Sequence, residues 1–185
     1  MTDGPLQRYD QAWSVLEHVL SMVGPGQWSN QTPCAAWDVR ALVNHLVSSN
    51  LMVAAMARGE KPPPTADNLG PDLIAALHRT TASTREELSR PGVFERVTLT
   101  PMGEVPGLVL VIVRIVDMFV HAWDIAVATG QPTDLDPDLA AYVIGLTETM
   151  TERPEGGAFG PALRPPPDAS PADQLAAFLG RSVPD

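Results

Sequence analysis

Residues 108–130 read LVLVIVRIVDMFVHAWDIAVATG. From Leu108 to Ala128 nearly every position is apolar, the composition of a helix buried on all sides rather than along one stripe. The exceptions are Arg114, Asp117, His121 and Asp124. Their spacings of three, four and three residues put them on one face of a helix. A stripe facing water would normally carry long, flexible Lys and Glu; this one carries short acids and a histidine. A helix is therefore expected from about Gly107 to Thr129, with Gly130 as its stop. A chain organised around such a helix is mostly α.

The rest of the chain agrees with that class. A first helix is expected over roughly 7–23, where Trp13, Leu16, Leu20 and Val23 recur at helical spacing before Gly24-Pro25-Gly26. A second begins after Asp38, a good N-cap, presents Val39, Leu42, Val43, Leu46 and Val47 on one face, and runs to about Arg58-Gly59. The prolines at 62–64 then force a loop. A third runs from Pro71, placed in the first turn, to about Arg90, closed by Pro91-Gly92. Residues 93–105 alternate better than they wind: Val93, Glu95, Val97 and Leu99 share one strand face, Phe94 and Arg96 the other, and Pro101-Met102-Gly103 turns a short hairpin. A fifth helix is expected from Pro137 to about Glu152, a Pro/Gly-rich loop over 153–170, and a last short helix from Ala172 to Leu179 ahead of Gly180. Residues 1–152 thus read as one helical domain, with 153–185 an extension that packs on it.

Composition narrows the function classes. The 185 residues carry a net charge of −10, and Lys61 is the one lysine among twelve basic residues. A nucleic-acid binder needs a basic face to displace counterions, and no segment supplies one. The acidic surface also argues against an anionic membrane. The apolar run from Leu108 is broken by its polar stripe, so it does not read as a membrane span. A lone cysteine, Cys34, excludes an internal disulfide framework and suits the cytoplasm, and the N-terminus lacks the pattern of a signal peptide. Cys34 itself reads as a small packed loop residue, and Trp37 and Trp123 as core. A monomer or a homodimer both fit this composition.

The stripe carries the chemistry. Each buried polar group costs roughly 2–7 kcal/mol unless it finds a partner, so these four satisfy one another or hold something. Asp117 and His121, four residues apart, stand one above the other and can both present lone pairs to one divalent ion. The same spacing also suits a plain hydrogen-bonded pair, Asp117 paired with Arg114, or a stripe that is the exposed face of the helix after all. A third ligand must come from another element. His18 and His78 lie on polar helix faces, whereas His45 sits at the edge of an apolar face beside Leu42 and Leu46, with small Ala41, Ser48 and Ser49 leaving room. His45 is the best third candidate. Arg114 or Arg181 suits a carboxylate of a small-molecule ligand, and Asp124 suits a bond that orients His121.

Two ordered segments carry a family resemblance. Residues 32–46, TPCAAWDVRALVNHL, and residues 117–130, DMFVHAWDIAVATG, resemble the paired signatures of the mycothiol-dependent maleylpyruvate isomerase family. That family belongs to the DinB-like metal-binding helical bundles. The tail over 172–181, ADQLAAFLGR, is similar to the ending of a short subfamily. The resemblance implies a DinB-like four-helix bundle with a small β-hairpin before the fourth helix and a short C-terminal helix. It implies a divalent metal, usually zinc, on His45, Asp117 and His121; nickel, iron and manganese suit the same donors. It further implies a low-molecular-weight thiol such as mycothiol and an electrophilic small-molecule substrate, joined in a transfer or isomerisation. The alternative is a metal- or ligand-binding module without turnover. The enzyme for which the family is named has glutamate where this chain has Asp117, and carries a further C-terminal domain for which this chain is too short. Maleylpyruvate isomerisation itself is therefore not part of the expectation.

Overall fold

The structure is a computed structural model that describes residues 4–184 except 35–36, 65, 101–102 and 149–159. The chain is mostly helical: α1 (Pro5–Ser21), α2 (Val39–Arg58), α3 (Leu73–Leu88), a hairpin of β1 (Val97–Thr100) and β2 (Gly103–Pro106), then α4 (Leu108–Thr129), α5 (Pro137–Glu148) and α6 (Pro171–Phe178). No described helix is long and apolar enough to cross a membrane.

Helix α4 behaves as its composition requires. None of its residues is exposed, and Arg114, Ile115, Met118, Phe119 and Trp123 are fully buried. Gly130 follows it at φ +69°, a left-handed stop that glycine adopts without a Cβ clash. Helix α2 starts directly after Asp38, and Val39, Leu42, Val43, Leu46 and Val47 are all buried, the face read from the sequence.

Two compact units share these helices. One comprises residues 1–13 and 40–117, the other 14–39 and 118–185. In the first, the first half of α1, α2, α3, the hairpin and the first half of α4 come together. The Tyr9 hydroxyl donates to the Thr81 carbonyl at 3.1 Å, and Arg85 grips Asp10 with Nε and Nη2. Asn50 Nδ2 donates to Thr80 and Thr81, while Thr84 Oγ1 donates to the Asn50 carbonyl. In the second unit, the loop between α1 and α2 is tied to the end of α4. Gln27 Nε2 donates to the Thr129 carbonyl and Asn30 Nδ2 to that of Ala128, and so these side chains satisfy carbonyls that the helix end leaves unpaired. Backbone bonds from Gly160 N to Leu179 O and from Leu163 N to Ala177 O fasten the segment before α6 onto the end of that helix.

Several expected boundaries move, each for a local reason. Helix α1 begins at Pro5 and ends at Ser21 rather than spanning 7–23. Pro71 does not open α3: Asp72 caps it, its carboxylate accepting from Ala75 N at 2.9 Å, so the helix starts at Leu73. Helix α3 ends at Leu88, short of Arg90, because Ser89 closes it. Residues 93–96 are turns instead of strand, since Val93 N bonds back to Arg90 O and Arg96 N to Gly92 O. The alternation read from the sequence survives in β1, where Val97 and Leu99 share the exposed face and Thr98 and Thr100 the buried one. Pro101 and Met102 of the expected turn, residues 149–152 of the expected fifth helix and residues 153–159 of the expected loop lie outside the described residues. Helix α6 begins one residue early, at Pro171, capped by Ser170, whose hydroxyl accepts from Asp173 N.

Candidate metal centre

The stripe on α4 resolves into two charged pairs. Arg114 donates through Nη1 to Asp117 Oδ2 in a close contact, and His121 Nδ1 lies 2.9 Å from Asp124 Oδ2. The other oxygen of Asp117 faces α2: His45 Nε2 lies 3.2 Å from Asp117 Oδ1 and 3.4 Å from Ser49 Oγ. Asp117 is thus paired with His45 as well as with Arg114. His45, Asp117 and His121 each offer one ligand atom, and these atoms all lie within 4.8 Å of one another. His18 and His78 are exposed, as read from the sequence, with His78 edge-on to Trp13 at 4.9 Å.

The donor set fits a small divalent ion. Tetrahedral zinc with bonds near 2.05 Å holds adjacent donors about 3.3 Å apart, close to the 3.2 Å between His45 Nε2 and Asp117 Oδ1. A carboxylate only accepts hydrogen bonds. Asp124 therefore takes the Nδ1 proton of His121 and directs Nε2 as the ligand nitrogen, the arrangement that sets tautomer and ring orientation in metal-binding histidines. Three protein donors are also the number found where a metal keeps a position for a small molecule.

Asp124 is held from its other side by the C-terminal segment. Arg181 Nε and Nη2 donate to its two oxygens at 3.2 and 3.1 Å. Both residues are buried. Burial pushes the Asp124 carboxyl upward, but the hydrogen bonds from His121 and Arg181 outweigh it and hold the group below the ordinary carboxylate range. Arg181 reaches this position because Gly180 takes φ +86°, and an added Cβ there would sit 2.6 Å from Gly160 Cα. Gly180→Ala is expected to destabilise the fold by about 2 kcal/mol, combining a strained backbone with that close approach; a denaturant midpoint equal to wild type would contradict it.

Three residues around the site escaped the sequence reading. Trp37, taken as core, is half-buried, and its ring meets that of His121 edge-on at 5.8 Å. Its placement comes from the 32–37 loop, where the Trp37 carbonyl accepts from Thr32 N, Thr32 Oγ1 and Gln31 Nε2. Thr32 thereby acts as a clasp; a buried threonine five residues before a tryptophan is too common a pattern to announce this. Ser49, noted only as small, faces His45, and its i+4 spacing was the available signal. Trp123 is core, and its Nε1 donates to Asp173 Oδ1 on α6 at 2.8 Å.

The comparisons with known proteins follow the same residues. The family model described as the mycothiol maleylpyruvate isomerase N-terminal domain matches residues 9–126. Two uncharacterized proteins of Mycobacterium tuberculosis, from strains CDC 1551 and H37Rv, are each 37% identical over 183 residues, covering 97% of this chain and 98% of theirs. No solved structure matches the chain significantly. The match spans α2 and most of α4 with all three candidate ligands, and so the chain belongs to the mycothiol maleylpyruvate isomerase N-terminal domain family.

Proposed function

We propose that the chain is a divalent-metal-dependent enzyme that joins a low-molecular-weight thiol, mycothiol being the one in the family's name, to an electrophilic small molecule by transfer or isomerisation. The reading rests on one observation: an imidazole from α2 and an acid–imidazole pair from α4 offer their donor atoms within 4.8 Å of one another. His45, Asp117 and His121 are its metal ligands, zinc its best-suited ion, with nickel, iron or manganese served by the same donors. A metal there would supply Lewis-acid chemistry, lowering the pKa of a thiol or water brought to it into the neutral range.

The remaining residues prepare that chemistry. Asp124 keeps the Nδ1 proton on His121, so Nε2 stays a lone-pair donor. Arg181 neutralises Asp124, which leaves Asp117 as the carboxylate with an oxygen turned toward the ligand set. Arg114 occupies the second oxygen of Asp117 and thereby favours a single Asp117 oxygen as donor. Trp37 covers one side of His121 and limits water at that ring. The reducing cytoplasm, where free thiols accumulate, is the matching compartment.

Purified chain, supplied with mycothiol and an alkylating electrophile, is expected to consume thiol faster than the uncatalysed mixture. Chelation should remove that excess by on the order of 100-fold, the several kcal/mol a bound dication contributes, and added zinc should restore it. Identical thiol loss with and without chelator contradicts the enzyme. Stoichiometric metal in a chain that consumes no thiol would instead mark a binding module.

A further inference from the structure

Ser49 departs from the pattern of the other helical hydroxyls. Those bond back to the carbonyl one turn earlier: Thr80 to Ala76 at 3.0 Å, Thr84 to Thr80 at 2.8 Å, Thr129 to Ile125 at 2.7 Å and Thr147 to Val143 at 3.1 Å. Ser49, inside α2, turns its hydroxyl instead to the side chain one turn earlier, with Oγ 3.4 Å from His45 Nε2. The residue is only 8% exposed, so water satisfies little of that hydroxyl. It is aimed at the ligand cluster.

The nitrogen it meets is asked to do two things at once. His45 Nε2 faces two oxygens, Asp117 Oδ1 at 3.2 Å and Ser49 Oγ at 3.4 Å, yet a ring nitrogen carries either one proton or one lone pair. Protonated, Nε2 donates to Asp117, and the Ser49 proton cannot use that nitrogen. Bare, Nε2 accepts from Ser49 but opposes the lone pairs of a carboxylate. A cation shared by Nε2 and Oδ1 removes that opposition, because both lone pairs then point at it. It also takes the lone pair that Ser49 would use. The Ser49 proton then needs another acceptor beside the ion, and a buried donor left without one is costly. A thiolate at the position that three protein donors leave open keeps lone pairs after bonding to metal, and supplies that acceptor. The cluster is open to solvent at His45 and Asp117, whose side chains are 29% and 18% exposed.

We infer that the Ser49 hydroxyl is the hydrogen-bond donor to the anionic group that the metal holds, and so selects a bound thiolate over a neutral ligand. The inference rests on the metal–thiol reading above. Cobalt-loaded wild type and Ser49→Ala, titrated with mercaptoethanol and separately with imidazole, test it. A thiolate on cobalt gives a near-ultraviolet band independent of turnover, and imidazole shifts the visible cobalt bands. Imidazole commits its one lone pair to the metal and offers Ser49 no acceptor at the coordinated atom. Ser49→Ala is expected to keep one equivalent of cobalt and to bind mercaptoethanol about 10-fold more weakly than wild type, the low end for a hydrogen bond to a charged group. Its affinity for imidazole should equal that of wild type. Unchanged thiol affinity in Ser49→Ala overturns the inference and leaves the metal–thiol reading intact. An equal loss for both ligands also overturns it, since that marks a general disturbance of the site. Loss of cobalt from Ser49→Ala does the same, by making Ser49 a support of the metal instead of a donor to its ligand. Wild type that holds cobalt but shows no thiolate band overturns the metal–thiol reading, and the inference with it.

Discussion

Replacing Asp124 with alanine is expected to destabilise the protein by about 3–5 kcal/mol, the scale for removing one partner of a buried ion pair. Asp124 is fully buried, and its carboxylate bonds to two other buried groups, His121 and Arg181. Without it the buried Arg181 guanidinium loses the carboxylate that takes both Nε and Nη2, and His121 loses the acceptor that fixes its tautomer. Asp124→Asn should cost less, since an amide oxygen can still accept one bond. Combining Asp124→Ala with Arg181→Met should recover part of the loss, because the stranded charge goes with its partner. Denaturant unfolding of the four proteins measures this, and a loss below about 1 kcal/mol in the alanine variant would place it with ordinary substitutions.

The pH dependence of that loss has a definite sign. The folded pKa of Asp124 lies below the ordinary value, so the unfolded state takes up the proton first as pH falls. The stabilisation from this carboxylate is complete above about pH 4, the ordinary unfolded value, and is lost as pH drops through the lower folded pKa. The stability gap between wild type and Asp124→Asn should therefore be constant near neutrality and narrow only in acid. Metal affinity should fall as well, by about 10- to 100-fold, the usual effect of removing a carboxylate that orients a ligand histidine.

Much of this was legible in the sequence because α4 states its environment without help from other elements. A helix this apolar has no polar face to spare, so its four polar residues needed partners, and their 3-4-3 spacing put them on one face. His45 was legible by a weaker route, as the histidine nearest an apolar face. The partners of Arg114 and Arg181 were less accessible. Both arginines read alike as forks for a ligand carboxylate, and what separates them is distance along the chain: Arg181 reaches Asp124 across 57 residues, a contact that no local periodicity encodes. Its nearer clue, Gly180, matters through its approach to Gly160, which is again a tertiary fact. The boundary shifts at α3 came from competition between two valid start signals, Pro71 and Asp72, in which the side chain able to accept from Ala75 N won. In the hairpin, alternation gave the shared face of Val97 and Leu99 but not that it is the exposed one, because the threonines opposite are buried instead.

The largest functional effect is expected from the histidines themselves. His45 brings its nitrogen to Asp117 from a separate helix, and His121 is the ligand braced by Asp124 and Arg181. Alanine at either removes a donor that no neighbouring described side chain replaces in that cluster, and two donors hold a divalent ion far less tightly than three. His45→Ala should leave the fold nearly untouched, since His45 is only half-buried. The decisive measurement is metal content of wild type, His45→Ala and His121→Ala, each loaded with zinc and then dialysed. One equivalent in wild type and little in either variant is the expected result. Equal content in all three, whether one equivalent or none, contradicts a metal held by these residues.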